Sequence, residues 1–258
     1  MILSYFKHLF RAGDEHSVHS PFVFDLYQKV IRGKFGSQEV FDSLTKLRKV
    51  LRSSDKEIEI LDLGAGSRIN KSNRRKISQI AKNAEKPEKF GRLFYRLCQR
   101  FQPRVVIELG TSLGLTTLYF AKALESGKIY TFEGCPETSK IAAENFTGAG
   151  ASNIEIVTGN IDSTLKRRLS QLEEQVDMVY FDANHRYEPT VRYFRECFPY
   201  AHEGSVFIFD DIYWSEEMTK AWEEIKADPR VTVTIDLFWI GLVFFRPGQV
   251  KEDFVLRF

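Results

Sequence analysis

Cysteine is scarce in this 258-residue chain: Cys98, Cys135 and Cys197 stand far apart and never form a Cys-x-x-Cys pair. That excludes a disulfide framework and a zinc knuckle. No run of about 18 apolar residues occurs, so no membrane span is expected. The opening stretch from Met1 to Arg11 is interrupted by Lys7, His8 and Arg11 and lacks a small-residue cleavage site, unlike a secretory leader. Internal repeats, low-complexity tracts and a long Pro/Ser-rich linker are missing as well. What remains is the expectation of a soluble, cytoplasmic protein with reduced cysteines.

The composition that is present, 43% hydrophobic and 28% charged, is ordinary for a globular chain. A net charge of +2 hides an asymmetry, because residues 1–104 hold 22 Lys/Arg against 11 Asp/Glu and the remainder holds 15 against 24. A basic front could meet an anionic substrate, a nucleic acid or a membrane surface, although such runs are more often solvated helical faces.

From Arg104 onward, β-rich runs alternate with helical patterns, the signature of a parallel sheet covered by helices. The runs are Arg104 to Glu108, Lys128 to Glu133, Asn153 to Val157, Val176 to Asp182 and Ser205 to Asp210. Val231 to Leu237 and Trp239 to Phe245 are too close for a helix to join them, so they form an antiparallel pair. The front reads as helices over Pro21 to Ile31, opened by Ser20 and closed by Gly33, then over Ser37 to Leu51 and Lys86 to Arg100. Residues 1–103 are thus expected as a helical extension and residues 104–258 as the core.

Two segments compete as a nucleotide loop. Ile60-Leu61-Asp62-Leu63-Gly64-Ala65-Gly66-Ser67 is followed by the polar stretch Arg68 to Lys76 and then nothing strand-like, so it reads as a short strand and turn. Glu108-Leu109-Gly110-Thr111-Ser112-Leu113-Gly114 is followed by a helical run, a second strand and then Glu133, the acid that ribose hydroxyls need. Gly110 and Gly114 permit positive φ and a close backbone approach. Neither a Gly-x-Gly-x-x-Gly pattern nor a Gly-Lys-Ser/Thr ending is present, so the loop lacks phosphate machinery and suits an adenosyl group with an amino-acid tail.

Through Glu108-x-Gly110-x-x-x-Gly114, Glu133 and the strand ends Asp182 and Asp210, the sequence resembles the class I S-adenosylmethionine (SAM) methyltransferases over about residues 104–246. The resemblance implies a doubly wound α/β fold: a seven-stranded, mostly parallel sheet in the order 3-2-1-4-5-7-6 with strand 7 antiparallel. It implies cofactor contacts from Glu108, Gly110, Ser112, Gly114, Asp182 and Glu133, the last on the ribose. Gly159-Asn160 would flank the adenine, with Asn160 where relatives often carry Asp. Apart from the resemblance, Glu133 also reads as an acid at a helix start.

Strands four and five end in Asp182-Ala183-Asn184-His185 and Asp210-Asp211-Ile212-Tyr213-Trp214. Converging carboxylates need a cation, a proton or a basic side chain, and oxygen donors suit Mg2+ or Ca2+. The pattern is similar to the catechol and caffeoyl-coenzyme A O-methyltransferases, which implies metal ligation by Asp182, Asp210 and Asp211 and puts His185 where those enzymes carry a lysine base. With an ordinary pKa of about 6.5, an imidazole can take a hydroxyl proton near neutrality. Asp182 and His185 are therefore the catalytic candidates for O-methylation of a small molecule, with or without metal. Plainer readings stand beside this: Asp182 or Asp211 as helix caps, and His185 in a structural ion pair. Rival functions are a non-catalytic adenosyl binder, an aminopropyl transferase, or a nucleic-acid methyltransferase, the last weakened by the missing Asn/Asp-Pro-Pro-Tyr signature. His16 and His19, ahead of Pro21, Phe22 and Phe24, mark a candidate substrate cover, and lack a third ligand for metal. A homodimer is compatible with all of this.

Overall fold

The computed structural model describes residues 2–61 and 73–258, with the backbone alone for residues 2 and 3. In chain order the front half forms α1 (Ile2–Arg11), α2 (Pro21–Leu26), α3 (Gln38–Ser53), β1 (Glu57–Glu59), β2 (Arg74–Lys76), α4 (Ile77–Asn83) and α5 (Glu88–Phe101). The middle forms β3 (Val105–Leu109), α6 (Leu115–Ala123), β4 (Lys128–Glu133), α7 (Pro136–Gly148), β5 (Ile154–Thr158) and α8 (Ile161–Leu169). The rest forms β6 (Val176–Phe181), α9 (Tyr187–Cys197), β7 (Ala201–Asp210), α10 (Glu216–Ala227), β8 (Val233–Asp236), β9 (Ile240–Phe244) and β10 (Glu252–Val255). These elements group into two compact units, Met1–Lys34 with Leu172–Phe258, and Phe35–Gln171.

In the unit Phe35–Gln171, β3 pairs parallel with β4 and β4 with β5. All five residues of β3 are buried, as a strand covered on both faces demands. α3 opens at Ser37, whose hydroxyl accepts the Val40 amide, and its Leu51 joins Ile58, Ile77, Ile80, Leu113, Leu115 and Ile141 in one apolar cluster. This cluster ties the front helices to the loop after β3, so the glycine loop has an apolar floor on its flank. The stretch Asp62 to Gly66 lies outside the described residues. Its flanks pair antiparallel, Glu57–Glu59 with Arg74–Lys76, so the polar stretch does contain a strand, contrary to the reading from sequence. Arg74 faces Glu57, and charge alternation across the pair replaces the apolar pattern that would have revealed it.

The other unit carries five strands in the order β10-β8-β9-β7-β6. β6 and β7 are parallel, while β9 runs antiparallel to both β7 and β8. Within each unit the neighbours are those expected: strands 3-2-1 in one, 4-5-7-6 in the other. The fold class is α/β with a mostly parallel sheet, as the sequence implied. Three further elements were not foreseen. β10 pairs parallel with β8 and has exposed acids at Glu252 and Asp253 that mask it, while α1 and α4 are short helices of 10 and 7 residues. The helix expected over Pro21 to Ile31 continues instead as a π-helical turn from Tyr27.

Gly241 lies in β9 where a Cβ would sit 2.7 Å from the ring of Trp222, which is buried at 1% exposure and has no room to withdraw. Overpacking of this kind costs about 1–3 kcal/mol. Gly241→Ala is therefore expected to lower the denaturant midpoint with the slope m unchanged, as measured by urea unfolding.

Candidate active site

Six non-glycine residues have positive φ among the described residues, and one of them, Gln102, is the left-handed cap of α5. The other five follow the carboxyl ends of strands: Ser112 after β3, Asn184 and His185 after β6, Asp211 after β7 and Phe238 after β8. Such backbone costs roughly 1–2 kcal/mol per residue, so it persists only where neighbouring bonds enforce it.

In the unit Phe35–Gln171 those bonds converge on Glu133. Its carboxylate accepts the Ser112 amide and the Cys135 amide, both at 2.9 Å. One acid thus holds the glycine loop and the start of α7 together. Gly110 and Thr111 both donate to the Phe132 carbonyl at 3.0 Å, and the Gly114 amide returns to Thr111, which closes the loop into a tight turn. Gly110 and Gly114 have φ of 102° and 80°. A Cβ on Gly114 would also lie 2.3 Å from the Phe146 ring. Beneath the loop, buried Glu108 accepts from the Thr117 and Thr131 hydroxyls, and Thr131 and Thr111 share a further bond of 2.6 Å. Gly159 donates to the Glu133 carbonyl with φ of 133°, and the Asn160 side-chain oxygen caps α8 by accepting the Asp162 amide. Glu108, Gly110, Ser112, Gly114, Glu133, Gly159 and Asn160 therefore all lie at or under one end of β3, β4 and β5. Glu133 does act at a helix start, and it holds the Ser112 amide of the loop as well.

In the other unit, the register Phe181↔Phe209 sets Asp182 and Asp210 as next residues on neighbouring parallel strands. The two rings stack at 4.3 Å and 4°, locking that register below the acids. Asp182 accepts from the Tyr180 hydroxyl at 3.0 Å and faces the His185 Nε2 at 3.4 Å. Ligand atoms of Asp182, His185 and Asp210 lie within 4.8 Å of one another. Asp211 is outside this group: its amide bonds to the Trp239 carbonyl and its φ of 52° begins a turn closed by the Trp214 amide. Neither Asp182 nor Asp211 is the N-cap residue of the following helix; Arg186 and Ser215 take those positions. His16 and His19 are exposed, and Phe22 packs edge-on against Phe244 at 5.1 Å.

A polar network next to Asp211 in sequence went unforeseen. Buried Asp236, ending β8, accepts the Tyr213 hydroxyl at 2.5 Å and the Phe238 amide at 2.8 Å, and faces His8 Nδ1 at 3.3 Å. Burial and the Asp236 carboxylate push the Tyr213 phenol well above its ordinary pKa. Only a buried acid at a strand end hinted at it.

Comparison with known proteins bears on the fold. Residues 107–212 match the family described as a methyltransferase domain. A catechol O-methyltransferase of Niastella koreensis is 29% identical over 143 residues, covering 55% of this chain and 62% of that protein. One from Mycobacterium tuberculosis is 30% identical over 124 residues, 47% of this chain and 54% of that protein. The chain thus spans a little over half the length of these relatives. A Bacillus cereus O-methyltransferase structure in complex with S-adenosylhomocysteine (SAH) superposes with a TM-score of 0.58 at 19% identity, covering 85% of this chain and 96% of that one. The fold is that of the class I O-methyltransferases, and the sequence match over residues 107–212 falls on the same side.

Because the folded phenol holds its proton more tightly than a free one, its stabilisation is complete below pH 10 and is lost as pH rises beyond that. Tyr213→Phe is expected to cost about 1–3 kcal/mol at neutral pH. In stability measured against pH, the variant should also show a shallower loss on the alkaline side than the wild type.

Proposed function

We propose that the protein is a SAM-dependent methyltransferase acting on the hydroxyl of a small molecule. The observation that carries this is the turn at 110–114, with positive φ at Gly110, Ser112 and Gly114 and bonded to Glu133. It offers close backbone approach without phosphate-binding groups. When bound, the cofactor supplies an activated methyl group on a sulfonium. A carboxylate has about four acceptor sites, so Glu133 can serve ribose hydroxyls as well as the loop backbone. Because Asn160 commits its oxygen to the cap of α8, the side chain meets an adenine edge as a donor through its amide group.

Asp182 and Asp210 orient the acceptor, and His185 takes the hydroxyl proton, its ring held by Asp182. Most of the rate then comes from alignment of acceptor and methyl group. A second reading is favoured by the approach of Asp182, His185 and Asp210 within 4.8 Å: the imidazole joins two carboxylates as a metal ligand, in place of Asp211. Two oxygens and a nitrogen fit Mn2+ at least as well as Mg2+. A bound cation would lower the pKa of the acceptor hydroxyl. A cytoplasmic setting belongs to the same proposal, since all three cysteines are buried thiols and no helix of the described residues is long and apolar enough to cross a membrane.

Transfer of a labelled methyl group from SAM to a panel of catechols and phenols tests both readings. If His185 is the base, His185→Ala loses at least about a hundredfold in kcat at every metal concentration. As a ligand, the same variant recovers in excess Mn2+, and chelators silence the wild type. Failure of the wild type to methylate any hydroxyl in the panel, with or without Mg2+ or Mn2+, would contradict the assignment.

A further inference from the structure

α1 is fixed on one side and bare on the other. Its inward face carries His8, 6% exposed, with Nδ1 at 3.3 Å from Asp236 and its ring against Phe238 at 5.4 Å. The end of the helix is stitched to the chain around β10: the Gly13 amide donates to the Val255 carbonyl, and the Arg257 side chain donates to the Ala12 carbonyl. These bonds hold the helix in one rotation about its axis. Four large apolar residues consequently face solvent on a built element: Tyr5 at 41% exposure, Phe6 at 54%, Leu9 at 39% and Phe10 at 90%. At about 100° per residue, positions 5, 6, 9 and 10 form a single arc of the helix. Lys7 and Arg11, one turn apart and exposed, line the edge of that arc. The helix holds no acid; Asp14 and Glu15 come after it has ended.

We infer that α1 is a docking helix for an anionic phospholipid surface, seating Phe6, Leu9 and Phe10 among the acyl chains with Lys7 and Arg11 at the headgroups. Aromatics on one arc and basic residues at its margin, with no acid, is the pattern of helices that lie in a membrane interface. Charge decides between this surface and a second copy of the chain. Two α1 helices packed through the same arc would bring Lys7 and Arg11 of each toward the other with no helix acid to neutralise them, whereas an anionic leaflet neutralises all of them. One short helix gives reversible attachment rather than anchoring, and the inference does not depend on methyl transfer.

The test is sedimentation of the full-length protein with vesicles of phosphatidylcholine alone or containing about 30% phosphatidylserine. Partition onto the anionic vesicles is expected, with a partition coefficient at least about tenfold lower on neutral vesicles, in about 1 M salt, and for Lys7→Glu/Arg11→Glu. Phe6→Ser/Phe10→Ser, at exposed positions, should lose at least about tenfold as well with an unchanged circular dichroism spectrum. The inference is overturned by absence of wild-type binding to anionic vesicles, by binding that survives either double substitution, or by light scattering that shows a wild-type dimer becoming a monomer in Phe6→Ser/Phe10→Ser.

Discussion

The bond from the Ser112 amide to the Glu133 carboxylate is the constraint on which the turn at 110–114 depends. Ser112 stands at φ 50°, a conformation that costs a non-glycine residue energy, and the charge-assisted bond at 2.9 Å offsets it. Without that bond the turn between Gly110 and Gly114 would relax toward ordinary φ. The backbone groups lining it would then no longer be set for a ligand before the ligand arrives. The second carboxylate oxygen, on the Cys135 amide, makes the same acid the start of α7, so the loop and the helix are positioned together. Below the loop, fully buried Glu108 accepts two threonine hydroxyls on one carboxylate oxygen.

In the other unit, the acids at the strand ends are placed by a different device, the register of two parallel strands. Stacked Phe181 and Phe209 fix which residues emerge together, and Asp182 and Asp210 are the consequence. Strain follows the same geography. Asn184, His185, Asp211 and Phe238 all adopt positive φ just past strand ends, where bonds to Ala183, Trp239 and Asp236 hold the last three. Asp236 joins the turn after β7, the turn after β8 and helix α1, so a single buried carboxylate organises three segments far apart in sequence.

Much of this was legible in the residues because it is local. The glycine loop, the acid after the next strand and the acids ending β6 and β7 follow from alternation, turn chemistry and spacing, which neighbours in sequence determine. What escaped is what depends on distant partners. The pairing of β1 with β2 rests on charge alternation, and β10 exists because β8 offers it an edge. His185 rather than Asp211 lies with the acids because the backbone at 211 turns toward Trp239, a choice made by the β8–β9 connection and invisible in the Asp210-Asp211 pair itself. In the sequence His8 only interrupts an apolar opening stretch, and its approach to Asp236 gives it a structural role.

Glu133 and the turn it holds are read most directly by calorimetric titration with SAH. The wild type should bind with a single site per chain, and Glu133→Ala should weaken the affinity at least tenfold, about 1.4 kcal/mol. Wild-type protein that releases no heat with SAH, or a variant that binds it as tightly as the wild type, would contradict the claim that this carboxylate organises the cofactor site.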